Sequence, residues 1–421
     1  MQTQSRGGAG AGARIALMLG ILTILMGQVV WADDATVLPK GYWRMQIDGA
    51  FSLPITQRFN KDGHKEDLGT DFNATLNSQV FSDLALVEAG FGLAPGTGSL
   101  GKTEVQFRRN INIVNISPAY GVTDKLSIGL NLPYLSQSLD VKAGLNTSTA
   151  TLGINPGVPG GIAPLGFPGT RPATVEDIQG LLVSRGFKRV QNWHDDGIGD
   201  LELGARYQYY KSETFRAAFT GGVRLPTGEF DDPDNLVDNV PGGGAYALLF
   251  RFQQDWMQQK PGLGKLLGAP DLGDFTINTT FRYDLILPDK QSFRVCNVHS
   301  PICDAKDDGV RRDTGDIVEA ELSGSYGIGG GFYLNGLYKY GHKFKDHHSG
   351  DRGFDYGSLA VETDYNEHIY RAALNYTTMY LFTEHKFPVP LIASVYYRER
   401  FAGDNNMFAS RYIGVVLNLF F

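Results

Sequence analysis

The sequence lacks any long apolar run beyond its first 32 residues, and this absence excludes a membrane protein built from spanning helices. It also lacks blocks of lysine and arginine, and the 421 residues carry a formal net charge of −7. A chain that binds nucleic acid needs concentrated positive charge to neutralise phosphates. No nucleic-acid partner is therefore expected.

Motifs that would carry catalysis or hold a cofactor are also missing. The chain contains no G-x-S-x-G nucleophile turn, no H-E-x-x-H zinc motif and no C-x-x-C-H haem attachment site. The sequence therefore predicts a protein that is not an enzyme and that carries no cofactor.

The first 32 residues have the pattern of a secretory signal peptide. Arg6 and Arg14 precede the apolar run "IALMLGILTILMG", and a small-residue cleavage site ends at Ala32. A single transmembrane anchor is the alternative, but the apolar run is shorter than the ~20 residues that a spanning helix needs. Removal of the two arginines changes the net charge to 36 − 45 = −9 for residues 33–421.

Cysteine is scarce, and the two present, Cys296 and Cys303, lie seven residues apart. In an exported chain such a pair predicts a disulfide. A metal site that includes His299 is the alternative, yet only three candidate ligands are present and zinc sites usually take four. We therefore expect no metal.

Glycine and aromatic residues are abundant instead, with 53 Gly, 25 Phe and 20 Tyr. Apolar and polar residues alternate in segment after segment, such as "KLSIGLNLPY", "GDLELGARYQYY", "FTINTTFRYDLIL" and "IVEAELSGSYG". Alternation with a period of two is typical of strands that have one apolar and one polar face. The fold class is therefore all-β.

Two all-β architectures fit such strands, a soluble sandwich or barrel and an outer-membrane barrel whose apolar face meets lipid. The second is favoured because the strands run to ~10 residues or more, their apolar faces end in aromatic residues, and short turns alternate with long polar connections. We therefore predict a transmembrane antiparallel β-barrel of about 12 strands, with 10 to 14 as the range, and long extracellular loops. The strands are expected to begin near Trp43, Val105, Leu126, Leu201, Phe215, Tyr246, Phe275, Val318, Phe332, Tyr370, Val389 and Ile413. Alternation slips in the second and sixth strands, near Asn110 and Leu249.

The chain ends on the alternating strand "RYIGVVLNLFF". A terminal strand that ends in phenylalanine, here Phe421, resembles the signal that bacterial outer-membrane barrels present to the barrel assembly machinery. The resemblance implies a bacterial outer membrane as the location, with lipid and lipopolysaccharide as the surroundings.

One connection, residues 142–196, differs from the others. It is rich in proline and glycine and then contains "TVEDIQGLLVSRGF", where Thr174 suits an N-cap, Asp177 follows three residues later, and Gly186 suits the helix stop. The sequence predicts a short helix within this loop. The loop either folds inward as a constriction or stays outside and packs on its neighbours.

If the apolar faces meet lipid, charged residues of both signs line the lumen. They are Asp200, Glu202, Arg206, Arg216, Arg224, Arg282, Asp284, Glu319, Glu321, Arg371 and Arg398, joined by Asp48, Arg251, Lys339 and Arg400. One interpretation is that these charges pair across strands and hold a narrow lumen together. The other is a transverse field of arginines and carboxylates that orders polar solutes.

Three stretches together resemble a known family. They are "AYGVTDKLSIGLNLPY", "GIGDLELGARYQYY" and "GGVRLPTGEF", and they are similar to the outer-membrane barrels of the meta-pathway phenol-degradation family. The resemblance covers roughly residues 111–230 and the terminal strand. It implies a barrel that passes small, often aromatic, compounds, and it supplies no catalytic residues. The insert at residues 142–196 departs from the family pattern.

The sequence therefore predicts a porin-like channel for passive passage of small solutes, with aromatic compounds suggested by the resemblance alone. Two alternatives stay open. The barrel could sheathe a multihaem cytochrome as part of an electron conduit, or it could be an outer-membrane hydrolase.

Overall fold

The computed structural model describes residues 34–238, 242–258, 275–296 and 303–421. The expected signal peptide and His299 lie outside this part of the chain. Within it, twelve long strands form the barrel wall: β1 (Trp43–Ser52), β2 (Lys102–Thr123), β3 (Leu126–Asn146), β4 (Leu201–Lys211), β5 (Phe215–Leu225), β6 (Ala247–Gln258), β7 (Phe275–Ile286), β8 (Ile317–Gly329), β9 (Phe332–Lys343), β10 (Tyr365–Thr377), β11 (Leu391–Gly403) and β12 (Arg411–Phe420).

These strands close into a single ring. Each pairs antiparallel with the next along the chain, and β1 pairs with both β2 and β12. Trp43 and Phe421 exchange two backbone hydrogen bonds of 2.7 and 3.1 Å, which complete the seam between the first and last strands. The prediction of a twelve-stranded antiparallel barrel is confirmed.

Apolar side chains point outward and polar side chains point inward. In β1, for example, Ile47 is 41% exposed whereas its neighbour Asp48 is 2% exposed. A water-soluble barrel would show the opposite arrangement, because its apolar face would fill the interior. The wall is therefore that of an outer-membrane barrel.

Strands β2 and β3 are 22 and 21 residues long and project above the ring of the other strands. Their polarity inverts along the way. Below the register pair Val114↔Tyr134 the outward face is apolar, and above it the outward residues are polar, such as Asn112 and Ser136. Most inward residues above that level, such as Phe107 and Leu139, are apolar and buried, and Arg109 and Gln137 are buried polar residues among them.

The inversion corrects two expectations. The irregularity near Asn110 is not a break in β2, because pairing with β3 continues through Asn110↔Ser138. Only the polarity of the outward and inward faces changes there. The connection expected at residues 142–196 is also shorter than predicted, since β3 runs to Asn146 and a further strand, Trp193–Ile198, pairs with the upper part of β3. Near Leu249, β6 is likewise continuous.

At the end of the barrel where Trp43 and Phe421 meet, the described connections include the tight turns after β2, β4 and β8, and we refer to this as the short-turn end. Residues 378–390 there include helix α3 (Met379–Thr383). At the opposite, loop end lie helix α1 (Leu84–Gly90), helix α2 (Val175–Ser184), three 3-10 turns and short strands. The turns are Thr70–Phe72, Pro159–Gly161 and Tyr356–Ala360, and the strands are Gln57–Phe59, Lys65–Asp67, Leu152–Ile154, Ile162–Pro164, Asp289–Val295, Ala305–Asp313 and His347–Ser349.

Helix α2 starts and stops as its sequence predicts. Thr174 and Asp177 form a reciprocal capping box, and Gly186 follows the helix with φ of +81°. Ile178 and Leu182 are buried against the inner face of the β2–β3 extension. The segment therefore packs on its neighbours above the barrel.

The loops interlock into one structure over the mouth, which we call the cap. Arg185, after α2, bonds to Asp83 of the first loop at 2.5 Å. Arg109 of β2 reaches the backbone oxygen of Val237, at 2.9 Å, in the loop between β5 and β6. Trp193 donates to that same oxygen. Three separate connections are thereby tied together.

A three-stranded sheet in the cap joins two further connections. Asp289–Val295 pairs with Ala305–Asp313, which pairs with His347–Ser349. Cys296 and Cys303, at one end of the hairpin, are joined by a disulfide with a Cα–Cα distance of 5.1 Å. No helix among the described residues combines the length and apolar character needed to span a bilayer.

The stability of this three-stranded sheet is expected to depend on pH. Burial lowers the pKa of His348 from its usual 6.5 to about 4, and Arg312 and Lys343 act in the same direction against the nearby Asp346. The unfolded segment therefore takes up a proton first as pH falls through 6.5, and the sheet loses stability progressively down to pH 4. We expect a protease active at both pH values to cleave residues 303–313 faster at pH 5 than at pH 7.5.

The variant His348→Phe, which cannot be protonated, is the matched control and should reduce that difference. Equal cleavage of the parent protein at the two pH values would contradict the prediction.

Candidate functional site

The chain before β1 enters the lumen from the short-turn end. Ala35 is fully buried; its N–H donates to Asp255 at 2.9 Å and its carbonyl accepts from Gln208 at 2.6 Å. Arg206 donates to the backbone oxygen of Asp34 at 2.9 Å, and Leu38 donates to Ser127 at 2.8 Å. We call residues 34–38 the lumen segment, since they occupy part of the barrel interior.

A cavity of about 210 Å³ lies between the lumen segment and the wall formed by β1–β6. Its walls carry the side chains of Arg44, Arg206, Arg251 and Glu202. We call it the lumen cavity.

Glycine creates this space. Gly129, Gly204 and Gly222 are direct cross-strand partners on β3, β4 and β5, and all three line the cavity. At Gly222 an added Cβ would lie 2.6 Å from the backbone oxygen of Leu203, so a larger residue does not fit without a shift of the strand. Side chains are absent where the lumen is open.

From Glu202 onward the inner wall carries a belt of buried ion pairs near the loop end. Arg224 bonds to both Glu202 and Asp284 at 2.8 Å. Arg282 lies 2.6 Å from Asp284 and 3.6 Å from Glu319.

The belt continues through β9, β10 and β11. Lys339 lies 2.8 Å from Glu319 and 2.9 Å from Glu367, and Arg400 lies 2.8 Å from Glu367. Lys339 is only 2% exposed. The charges of opposite sign therefore neutralise one another within the barrel rather than through water.

The remaining predicted lumen residues also lie on the inner side. Arg216 stands opposite Asp255 in the register, Arg371 donates to Asn335 at 3.2 Å, and Arg398 lies over the ring of Tyr412 at 4.4 Å. Glu321 shares the inward face of β8 with Glu319, and Asp48 accepts from Tyr396 at 3.0 Å.

Asp200 differs from the others because it precedes β4. It accepts the N–H groups of Gly228 and Gly243 at 3.1 and 2.7 Å, and so holds the loop between β5 and β6 against the barrel rim. Burial raises its pKa, which those two hydrogen bonds oppose. Asp200 is a loop anchor rather than part of the belt.

A second, apolar cavity of about 80 Å³ lies in the cap. Phe72, Val105, Leu145, Ile178 and Leu236 contribute to its lining. The cap thus contains an apolar recess, whereas the lumen cavity below is lined by both charged and apolar side chains.

Sequence reasoning missed the lumen segment and the glycine row. The lumen segment has no periodicity and binds mainly through its backbone, so its residues give no signal. The glycine row did have one, since Gly129, Gly204 and Gly222 occupy polar-face positions of otherwise regular strands, where glycine often marks close approach. Among the described residues no group of three His, Cys, Asp or Glu side chains is placed to hold a metal ion.

We expect the ion pairs of the belt to contribute to the unfolding free energy of the barrel. Replacing Lys339 by methionine leaves Glu319 and Glu367 buried without the cation between them, and breaking a buried pair in this way costs about 3 kcal/mol. We expect Lys339→Met to lower the unfolding free energy by roughly that amount in urea titrations of the folded barrel in lipid vesicles, followed by tryptophan fluorescence.

The same change at Lys125, in the exposed β2–β3 turn, is the control and should alter stability by less than about 0.5 kcal/mol. Equal stability of the two variants would show that the belt charges are compensated by water instead.

No family model matches the sequence, and no curated protein matches it. Among solved structures, the COG4313 outer membrane channel from Pseudomonas putida F1 is similar at 12% identity and a TM-score of 0.49, over 92% of this chain and 98% of that one. A Pseudomonas aeruginosa FadL homologue matches at 9% identity and a TM-score of 0.31, over 96% and 97% of the two chains. The TodX deltaS2S3 mutant monoaromatic hydrocarbon channel matches at 10% identity and a TM-score of 0.33, over 94% of each chain. Likeness at this level assigns neither a family nor a function to the chain.

Proposed function

We propose that this protein is an outer-membrane channel for passive passage of small solutes. The observation that carries the proposal is the lumen cavity of about 210 Å³, which lies between the lumen segment and the barrel wall. A barrel with a purely structural role would gain stability by filling that space with side chains. Glycine at three adjacent wall positions keeps it open.

The two cavities support solutes that are partly apolar. An apolar recess in the cap lies above a cavity in the lumen whose lining is both charged and apolar, so a molecule with a ring and a polar group would find a suitable surface in each. The preference for aromatic compounds comes from the resemblance of residues 111–230 to the phenol-degradation barrels.

The alternatives fit the interior less well. A cytochrome would need a lumen wide enough for a folded domain, whereas the belt and the lumen segment occupy much of this one. A hydrolase would need a histidine beside a nucleophile, yet His368 faces outward and contacts the hydroxyl of Tyr338 at 2.7 Å among aromatic rings. Contacts with lipopolysaccharide and the barrel assembly machinery remain predictions of the same proposal.

Single-channel conductance in a planar bilayer tests the proposal. We expect the parent protein to conduct weakly, and deletion of residues 34–37 to raise its conductance severalfold because the lumen segment then leaves the cavity free. Lys40→Gln, an exposed position on the same stretch of chain, is the control and should conduct like the parent.

Silence of both the parent and the deletion variant would contradict a channel function and would indicate a sealed barrel. Deletion of residues 142–196 would be a poorer test, because it would also remove the buried face of α2 and disrupt the cap.

A further inference from the structure

The outward side of the β2–β3 extension continues directly from the lipid-facing wall. Ile116, Tyr134 and Ile198 are exposed on that wall at or below the level of the pair Val114↔Tyr134, where the hydroxyl of Tyr134 donates to Asp196. Above that level the outward side chains are polar. We call them the polar face, and they are Lys102, Glu104, Gln106, Arg108, Asn110, Asn112, Ser136, Ser138, Asp140, Lys142, His194 and Asp196.

Cross-strand pairing arranges the polar face in rows over three strands. Ser136 lies between Asn112 and Asp196 in the row nearest the hydrocarbon, and Arg108 lies beside Asp140 higher up. All twelve side chains are exposed or partly exposed, so the described parts of the chain leave the polar face uncovered. The face is therefore open to a neighbouring molecule.

Few of these polar groups are engaged within the protein. Asn110 donates to Ser138 at 3.4 Å. The side chains of Arg108 and Lys142 form no hydrogen bond or ion pair with any described residue, although Asp140 is the direct cross-strand partner of Arg108. Their donors are therefore available to a ligand.

The polar face is taller than a phospholipid headgroup layer. From Val114 to Arg108 the strand runs roughly 20 Å, which at a tilt of about 40° is roughly 15 Å of height above the hydrocarbon. The headgroup region of a phospholipid leaflet is only about 5 to 7 Å deep. A neighbour that covers the whole face therefore carries polar groups well beyond that depth.

We infer that the polar face is a docking surface for lipopolysaccharide. The long loops of outer-membrane barrels lie on the outer side of the membrane, where this glycolipid joins acyl chains to a phosphorylated saccharide. The acyl chains lie along Ile116 and its apolar neighbours, and the saccharide lies against the polar face above them. The inference goes beyond the proposed channel function and holds for a barrel that does not conduct.

The side chains of the polar face suit a saccharide that carries phosphates. Asn112 and Ser136 offer donors and acceptors to sugar hydroxyls in the lower row. Arg108 and Lys142, higher up, offer charge-assisted hydrogen bonds to phosphates of the core sugars. Asp140 lies among these cations, so a ligand that offers phosphate alone gains less here than one that also donates hydroxyl groups.

Rough lipopolysaccharide, which keeps the core sugars, and lipid A, which lacks them, are the test probes, with phosphatidylglycerol as the anionic control lipid. A nitroxide at Ser138→Cys reports on the polar face, because Cys296 and Cys303 are joined in a disulfide. We expect rough lipopolysaccharide, added to the protein in detergent micelles, to reduce the label's mobility, and phosphatidylglycerol to leave it unchanged. Lipid A should act more weakly, since its sugars do not reach the upper rows.

Arg108→Gln combined with Lys142→Gln removes two exposed cations from the polar face. We expect the half-saturating concentration of rough lipopolysaccharide to rise severalfold in this double variant, because two charge-assisted hydrogen bonds are lost. Arg311→Gln combined with Lys345→Gln is the matched control. These two positions are exposed in the connections next to β8 and β9, and the variant, with the same change of net charge, should bind like the parent.

The outcomes decide between a docking surface and general attraction. Equal binding by the parent and the double variant overturns the inference, as does a label that phosphatidylglycerol immobilises as strongly as rough lipopolysaccharide. Equal immobilisation by lipid A and rough lipopolysaccharide also overturns it, because the polar face then meets no core sugars. A control variant that loses as much binding as the double variant shows charge attraction alone and overturns it too. None of these readouts needs conduction, so a failure of the channel proposal is seen separately.

Discussion

Compensation of buried charge is the constraint on which the interior of this barrel depends. Because the outward face of each strand meets hydrocarbon, the alternate residues must point into the lumen, and many of these are ionised. A charge that is almost fully buried is tolerated only beside an opposite charge or a set of hydrogen-bond donors. The belt from Glu202 to Arg400 meets that requirement with one or two residues from each of eight consecutive strands.

The belt and the lumen segment divide the interior between them. The belt runs along β4–β11 near the loop end, and glycines together with the segment leave space on the side of β1–β6. Two interpretations of the inward charges were open from sequence, cross-strand pairing and a transverse field of cations. Along the belt the geometry is that of pairing. Arg44, Arg206 and Arg251 line the lumen cavity, and there Arg206 and Arg251 are also paired, with Asp34 and Glu202. The transverse field stays a prediction.

Alternation alone was enough to predict the architecture, because a strand with lipid on one face and water on the other must alternate apolar and polar residues. The outer-membrane barrel, its twelve strands and the helix after Thr174 all follow from local sequence. The partners within the belt do not, since Lys339 meets Glu319 and Glu367 only through the register of three strands. The lumen segment was unpredictable for another reason. Its backbone makes most of its contacts, and backbone groups are the same in every sequence.

The inversion of polarity in β2 and β3 also fixes how deep the barrel sits. At the pair Val114↔Tyr134 the outer surface changes from apolar to polar within about two residues, or roughly 7 Å of strand. Vertical displacement by that distance would place Asn112 and Ser136 in hydrocarbon or expose apolar wall to water. These two strands therefore fix the depth of the barrel in the bilayer on one side of the ring. They limit tilt toward the bilayer on that side and keep the cap, with its apolar recess, at a set height above the lipid surface.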